Sequence, residues 1–139
     1  MTTRAENEIS LPVPFAQAVE RTRAALQAEG FGVLTTIDMQ AAFREKLGAD
    51  FRPYVILGAC NPPLAYKALT ASAEIGLMLP CNVTVEEEAP GRSVVRLAQP
   101  SRMLGPDPLE HPLALHQVAK DAEARLVRVA DALRQAATG

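Results

Sequence analysis

Two cysteines, each followed by an asparagine, carry the most distinctive chemistry in the chain. Cys60-Asn61 lies in Leu57-Gly58-Ala59-Cys60-Asn61-Pro62-Pro63, and Cys81-Asn82 lies in Leu79-Pro80-Cys81-Asn82-Val83. Cys60 stands at a strand-to-helix corner, where backbone N–H groups and the helix dipole stabilise a thiolate. If Cys81 returns alongside, the pair could cycle between dithiol and disulfide or carry a sulfane sulfur. It could also hold a soft metal such as Cu(I) together with Met78 or Met103. The competing reading is structural. Cysteine is among the most often buried residue types, and Ala59-Cys60 after Val55–Gly58 has the composition of a buried strand end. The structural reading is the stronger of the two.

The asparagines are weighed in the same way. An amide offers two donors and one acceptor, so Asn61 and Asn82 are candidate ligand contacts. Capping the helix that begins at Pro62 accounts for Asn61, and pinning of a neighbouring loop is the simplest account of Asn82. Cys60, Asn61, Cys81 and Asn82 are thus the candidate ligand-binding residues. No catalytic residue and no metal ligand set is assigned, and no residue pattern identifies a cofactor.

Other constellations are weak. His111 and His116 are five residues apart, off the spacing that sets two ligands on one helix face. Glu86-Glu87-Glu88 reads as a solvated strand end. Gly30-Phe31-Gly32 precedes a strand instead of opening a helix, so it is no phosphate loop. Arg52 near Tyr54 reads as half of a surface ion pair.

The elements that must position the corners follow from periodicity and punctuation. Glu8-Ile9-Ser10-Leu11 can alternate as a strand, closed by Pro12 and Pro14. Phe15, Val19, Thr22 and Leu26 make one helix stripe over about Phe15–Ala28, stopped by Gly30. Phe31–Ile37 is rich in β-branched and aromatic types and reads as a strand. Asp38 can cap a short helix bearing Met39, Phe43 and Leu47 on one face, ended by Gly48. Tyr54–Ala59 is apolar on both faces, the pattern of an interior strand. The helix opened by Asn61-Pro62-Pro63 can turn Leu64, Ala65, Ala68 and Leu69 inward. Glu74–Pro80 is ambiguous between loop and short strand. Asn82–Glu88 and Ser93–Ala98 form a hairpin about Pro90-Gly91, and a proline-rich connector follows. Leu115, Val118, Ala122, Leu126, Val129 and Leu133 give a long final helix over about Pro112–Ala136.

The order β-α-β-α-β-α-β-β-α, with a late hairpin and a long closing helix, predicts an α+β fold. A single sheet would carry its helices mainly on one face. The other face is left to solvent or to a second copy of the chain. The 139 residues form one domain, 1–139, large enough to bury a real core. With 48% hydrophobic residues, 22% charged residues and a net charge of −2, the chain has a globular composition. No basic excess points to nucleic acid, and no run of about 20 apolar residues points to a membrane span. The polar N-terminus shows no apolar signal segment, so the expected compartment is the cytoplasm, where thiols stay mostly reduced.

Several segments resemble one family. They are Glu29–Thr35, Lys46-Leu47-Gly48, Phe51-Arg52-Pro53-Tyr54, Leu57–Ala65 and Ile75–Val83. In combination they look like the DUF302 family of uncharacterised bacterial and archaeal proteins, over most of the chain up to Leu104. The resemblance implies an α+β fold of the TBP-like, helix-grip type, often seen as a homodimer. It implies no activity. The expected function is a non-catalytic domain that binds a ligand or partner as a homodimer, with a possible small-molecule ligand. The alternative is a thiol redox, sulfur-carrier or soft-metal protein using Cys60 and Cys81.

Overall fold

Proline and glycine cut the chain where the punctuation predicts, in a computed structural model that describes residues 6–138. Strand β1 spans Glu8–Leu11, and Pro14 leads into helix α1, Phe15–Ala28. Gly30, at φ 85°, lets the chain turn back sharply, with its N–H and that of Phe31 bonded to the carbonyls of Gln27 and Leu26. Strand β2, Gly32–Asp38, then runs into helix α2, Met39–Leu47. The Asp38 carboxylate caps α2 by accepting from the Ala41 N–H, and Gly48 closes it in the left-handed conformation. Strand β3 is Tyr54–Cys60 and helix α3 is Pro62–Ala71. The ambiguous stretch after α3 is neither loop nor strand but a short 3₁₀ helix, Ala73–Met78. Strands β4 (Cys81–Ala89) and β5 (Arg92–Leu97) form the hairpin. One helical turn, α4 (Pro100–Met103), interrupts the connector before helix α5, Leu113–Thr138.

The five strands make one antiparallel sheet in the order β1-β5-β4-β3-β2. Strand alternation sends Val55, Leu57 and Ala59 of β3 and Val83 and Val85 of β4 to the same face as Ile9, Leu11, Val95 and Leu97. Helices α1 and α5 cover that face, with Ala18 and Leu26 from the first and Leu126, Val129, Ala130 and Leu133 from the second. Thr22 is buried in the α1 stripe because its hydroxyl donates to the Ala18 carbonyl, 2.7 Å away. A second apolar cluster lies under the first half of α5, where Leu115 and Ala119 meet Ala68, Ile75 and Leu104.

Two readings of side-chain placement are corrected, at Leu69 and Glu86, and the α2 stripe proves unburied. Leu69 is 44% exposed, because Leu64 and Ala68 already fill the buried side of α3. Helix α2 buries no residue, and Leu47 points to solvent, while Phe43 packs edge-on against Phe51 at 5.1 Å. Glu86 is no solvated strand end. It sits on the face opposite the helices, in register with Tyr54 and Val94, and is 7% exposed. Arg52 and Arg96 both bond its carboxylate, and Arg96 reaches on to Glu8. Burial alone would push the Glu86 carboxyl up. The hydrogen bonds and charges of Arg96 and Arg52 outweigh it and hold the group below its ordinary value.

Two consequences are measurable. A carboxylate whose folded pKa is depressed stabilises the fold above the ordinary carboxylate pKa, and that contribution disappears as pH falls through the folded value. Glu86→Gln should therefore be clearly less stable than the wild type at pH 7 in urea denaturation. The gap should close as pH falls below the ordinary carboxylate range; a gap that stays constant down to pH 2 contradicts the account. At Gly58, an added Cβ would strike the Thr35 hydroxyl and lie 2.8 Å from the Pro80 ring. Neither a β-branched side chain nor a proline ring yields cheaply, so Gly58→Ala should cost about 1–3 kcal/mol. Adding Thr35→Ala should recover part of that loss in the same assay.

Candidate functional site

Four elements meet at the Cys60-Asn61 corner. Strand β3 ends at Cys60, and the Asn61 carboxamide oxygen accepts from the Leu64 N–H at 3.2 Å, capping α3. Pro62 and Pro63 fill the first positions of that helix, where a missing donor costs nothing. The Asn61 side chain packs behind Gly30, at the end of α1, where a Cβ would lie 2.9 Å from its nitrogen. From α5, the Arg125 guanidinium donates to the Glu29 carbonyl at 3.1 Å and ties the final helix to the same place.

The second corner lies beside the first. Ala59 stands directly opposite Cys81 at the start of β4, so Cys60 is one residue further along the neighbouring strand. Both thiols are free and half-buried. The Cys81 thiol is pushed up from its ordinary value, first by burial and then by the charge of Cys60. Its thiolate is therefore scarce near neutral pH, and its strength as a nucleophile suffers accordingly.

Cys60, Asn61 and Cys81 line one cavity of about 70 Å³, partly open to solvent, between α3, α4, α5 and the paired ends of β3 and β4. Asn82 does not. It is exposed and stands opposite Gly58, on the other side of its strand from Cys81. Its carbonyl instead accepts from the Ala98 N–H and holds the start of the connector. The structure thus brings together three of the four candidate residues and leaves one outside.

Sequence reasoning missed why a space exists here. Ala59, Ala65, Ala68, Ala119 and Ala122 all face it, and five methyl groups occupy positions where larger side chains would close the gap. Alanine is a favourable helix residue anywhere, so its presence on α3 and α5 gives no warning of a void. Alternation along β4 was the signal available for Asn82, since neighbouring strand residues face opposite ways.

Chemically, the lining is apolar except for the Asn61 amide and the two thiols, with Met78 and Met103 adding two thioethers. Among the described residues, no carboxylate, imidazole, ammonium or guanidinium group lines it. His111 and His116 lie elsewhere, with ring centroids 6.2 Å apart, and among the described residues the buried Nε2 of His116 has no hydrogen-bond partner. A wider groove of about 540 Å³ runs between the end of β5 and α5. Its polar groups are largely engaged with one another: Glu123 accepts from the Ser101 N–H and Arg134 pairs with Asp131. Among the described residues, no helix is long and apolar enough to cross a membrane.

Comparison with known proteins adds a family. Residues 7–133 match the model of DUF302, a domain of unknown function. No curated protein matches the sequence. A matching solved structure is the crystal structure of an uncharacterized conserved protein DUF302 from Bacillus stearothermophilus. It is 32% identical, superposes with a TM-score of 0.79, and the alignment covers 91% of this chain and 96% of that one. Family model and fold agree over nearly the whole sheet-and-helix unit, and the chain belongs to the DUF302 family.

Proposed function

We propose that this protein is a non-catalytic binding domain that takes a small, apolar or soft ligand in the cavity at the Cys60–Cys81 corner, and that it works as a homodimer. One observation carries the first part: an alanine-walled cavity of about 70 Å³ beside two thiols, with no acid or base on its lining. Native interiors are close-packed, and a persistent apolar void forfeits dispersion contacts. A fold that keeps one gives up stability there, which is intelligible if an occupant restores the contacts. The size limits the occupant. An engineered dry cavity of about 150 Å³ admits benzene or xenon, and this space is about half as large. The raised Cys81 thiol weighs against a reading in which that sulfur attacks a substrate near neutral pH.

Support for the homodimer comes from the edge of the sheet. Among the described residues, strand β2 is terminal and its outward row of N–H and C=O groups has no strand beside it, and Leu34 and Ile37 are 68% and 47% exposed. Such an edge is a template for another strand. Two copies of β2 can pair antiparallel about a two-fold axis, with the same surface on both sides.

Xenon is a suitable probe of the cavity. Adding it to the full chain should shift amide and methyl resonances of residues around α3 and the first half of α5. Ala119→Leu, which fills the space, should abolish those shifts while the protein stays folded; shifts that survive that substitution place the xenon elsewhere and overturn the reading. For assembly, light scattering at micromolar concentrations should return twice the 14.9 kDa chain mass. Ile37→Lys should return the single mass, and a wild-type monomer throughout the range refutes the dimer.

A further inference from the structure

The cavity concentrates sulfur. Both cysteines and two of the four methionines line it, drawn from β3, β4, the 3₁₀ helix and α4. Methionine commonly serves as a flexible filler of core gaps. Here Met78 is only half-buried, Met103 is 42% exposed, and the space between them stays open. These side chains border a void that they do not fill.

The donor types decide what could enter. Thiolate and thioether sulfurs are soft ligands and select soft cations, Cu(I) foremost among biological ions. Calcium and magnesium need several oxygen ligands, and the lining offers only one side-chain oxygen, on Asn61. Zinc favours four thiolate, imidazole or carboxylate ligands, and no histidine or acid lines the space. Charge points the same way. Apolar walls tolerate a neutral complex far better than a charged one. A monovalent cation with a single thiolate and neutral thioethers carries no net charge, whereas a divalent ion would need both thiols ionised to reach neutrality.

We propose that this cavity binds one soft monovalent metal ion of the copper(I) class, with Cys81 as the anionic donor and Met78 and Met103 as neutral thioether donors. Cys81 is anchored at the first residue of β4, while the methionines sit on the 3₁₀ helix and α4, short elements flanking the partly open space. Three rotatable bonds in each methionine let its sulfur close on an ion. Cys60, next along the adjacent strand, supplies a further sulfur at the cavity wall. Binding exchanges one bond for another without oxidation or reduction. The Cys81 S–H bond breaks, its proton goes to solvent, and a sulfur–copper bond forms. The proposal names the occupant of the binding site argued above and rests on that reading.

The test is an anaerobic titration of the reduced full chain with Cu(I) against a chromophoric Cu(I) chelator. One equivalent should be withdrawn from the chelator. Cys81→Ser should weaken binding on the order of 100-fold or more, and Met78→Leu with Met103→Leu on the order of 10-fold, against a scale of 10–100-fold for losing a supporting group. The leucine pair nearly conserves side-chain volume, so the fold should survive it even if Cys81→Ser is unstable. No withdrawal of copper overturns the proposal. So does tight binding that the methionine pair leaves unchanged, since the thiols alone would then be responsible. Zinc bound as tightly as copper also overturns it. Xenon shifts that persist when copper fails to bind would leave the cavity reading standing and remove only the metal; loss of both would remove both.

Discussion

Helix α5 has to satisfy two hydrophobic clusters with one stripe. At 1.5 Å per residue, its 26 residues make a rod of about 39 Å. The half that carries Leu126, Val129, Ala130 and Leu133 presses on the sheet core with α1. The half that carries Leu115 and Ala119 leaves that core behind and needs other partners, which α3, the 3₁₀ helix and α4 provide. Ala122 lies between the two halves and lines the cavity. The short elements after β3 and β5 are thus understood as a cover for the overhang of one long helix. The cavity occurs at the seam between the two clusters.

The seam is held in place from the strand side by register. Ala59 is fixed opposite Cys81, and Gly58 opposite Asn82 and Thr35, so the β3–β4 ends can approach α3 only in one alignment. A slip by one residue would exchange the two faces of a strand and carry the Leu57 and Val83 side chains out of the core. Gly58 admits the Pro80 ring and the Thr35 side chain at the same point, and the close approach leaves no room for a methyl group. Asn61 then converts the end of β3 into the start of α3 within one residue. The sulfurs owe their common location to this backbone arrangement, and no bond between them is required.

What could be read in the sequence divides along physical lines. Stripes of large apolar residues and chain-local signals were legible: the α1 and α5 helices, the Asp38 and Asn61 caps, the Gly30 and Gly48 stops and the hairpin all depend on residues a few positions apart. Features created by distant partners were not. Glu86-Glu87-Glu88 has the composition of a solvated run, and only Arg52 and Arg96, 34 and 10 residues away, make the first of them a buried, paired charge. Leu69 has the right type for burial but is excluded by Leu64 and Ala68 on the same helix. The cavity was the least legible feature, because it is defined by what five alanines fail to fill. Asn82 is a different case, since strand alternation already separates it from Cys81.

The two sides of the sheet also differ in what they leave available. On the face away from the helices, Glu8, Glu86, Arg52 and Arg96 form a chain of ion pairs with equal numbers of acids and bases, and Arg52 additionally stacks over the Phe51 ring at 4.4 Å. Such a network rigidifies the face but has already spent its strongest donors and acceptors on itself. A ligand arriving there would have to break charge-assisted bonds to gain its own. In the cavity the situation is reversed. The Asn61 oxygen is committed to the cap, while the sulfurs of Cys81, Met78 and Met103 are weak hydrogen-bonding groups that lose little by remaining without a partner. The soft, uncommitted groups therefore lie under the long helix, and the charged face serves the fold.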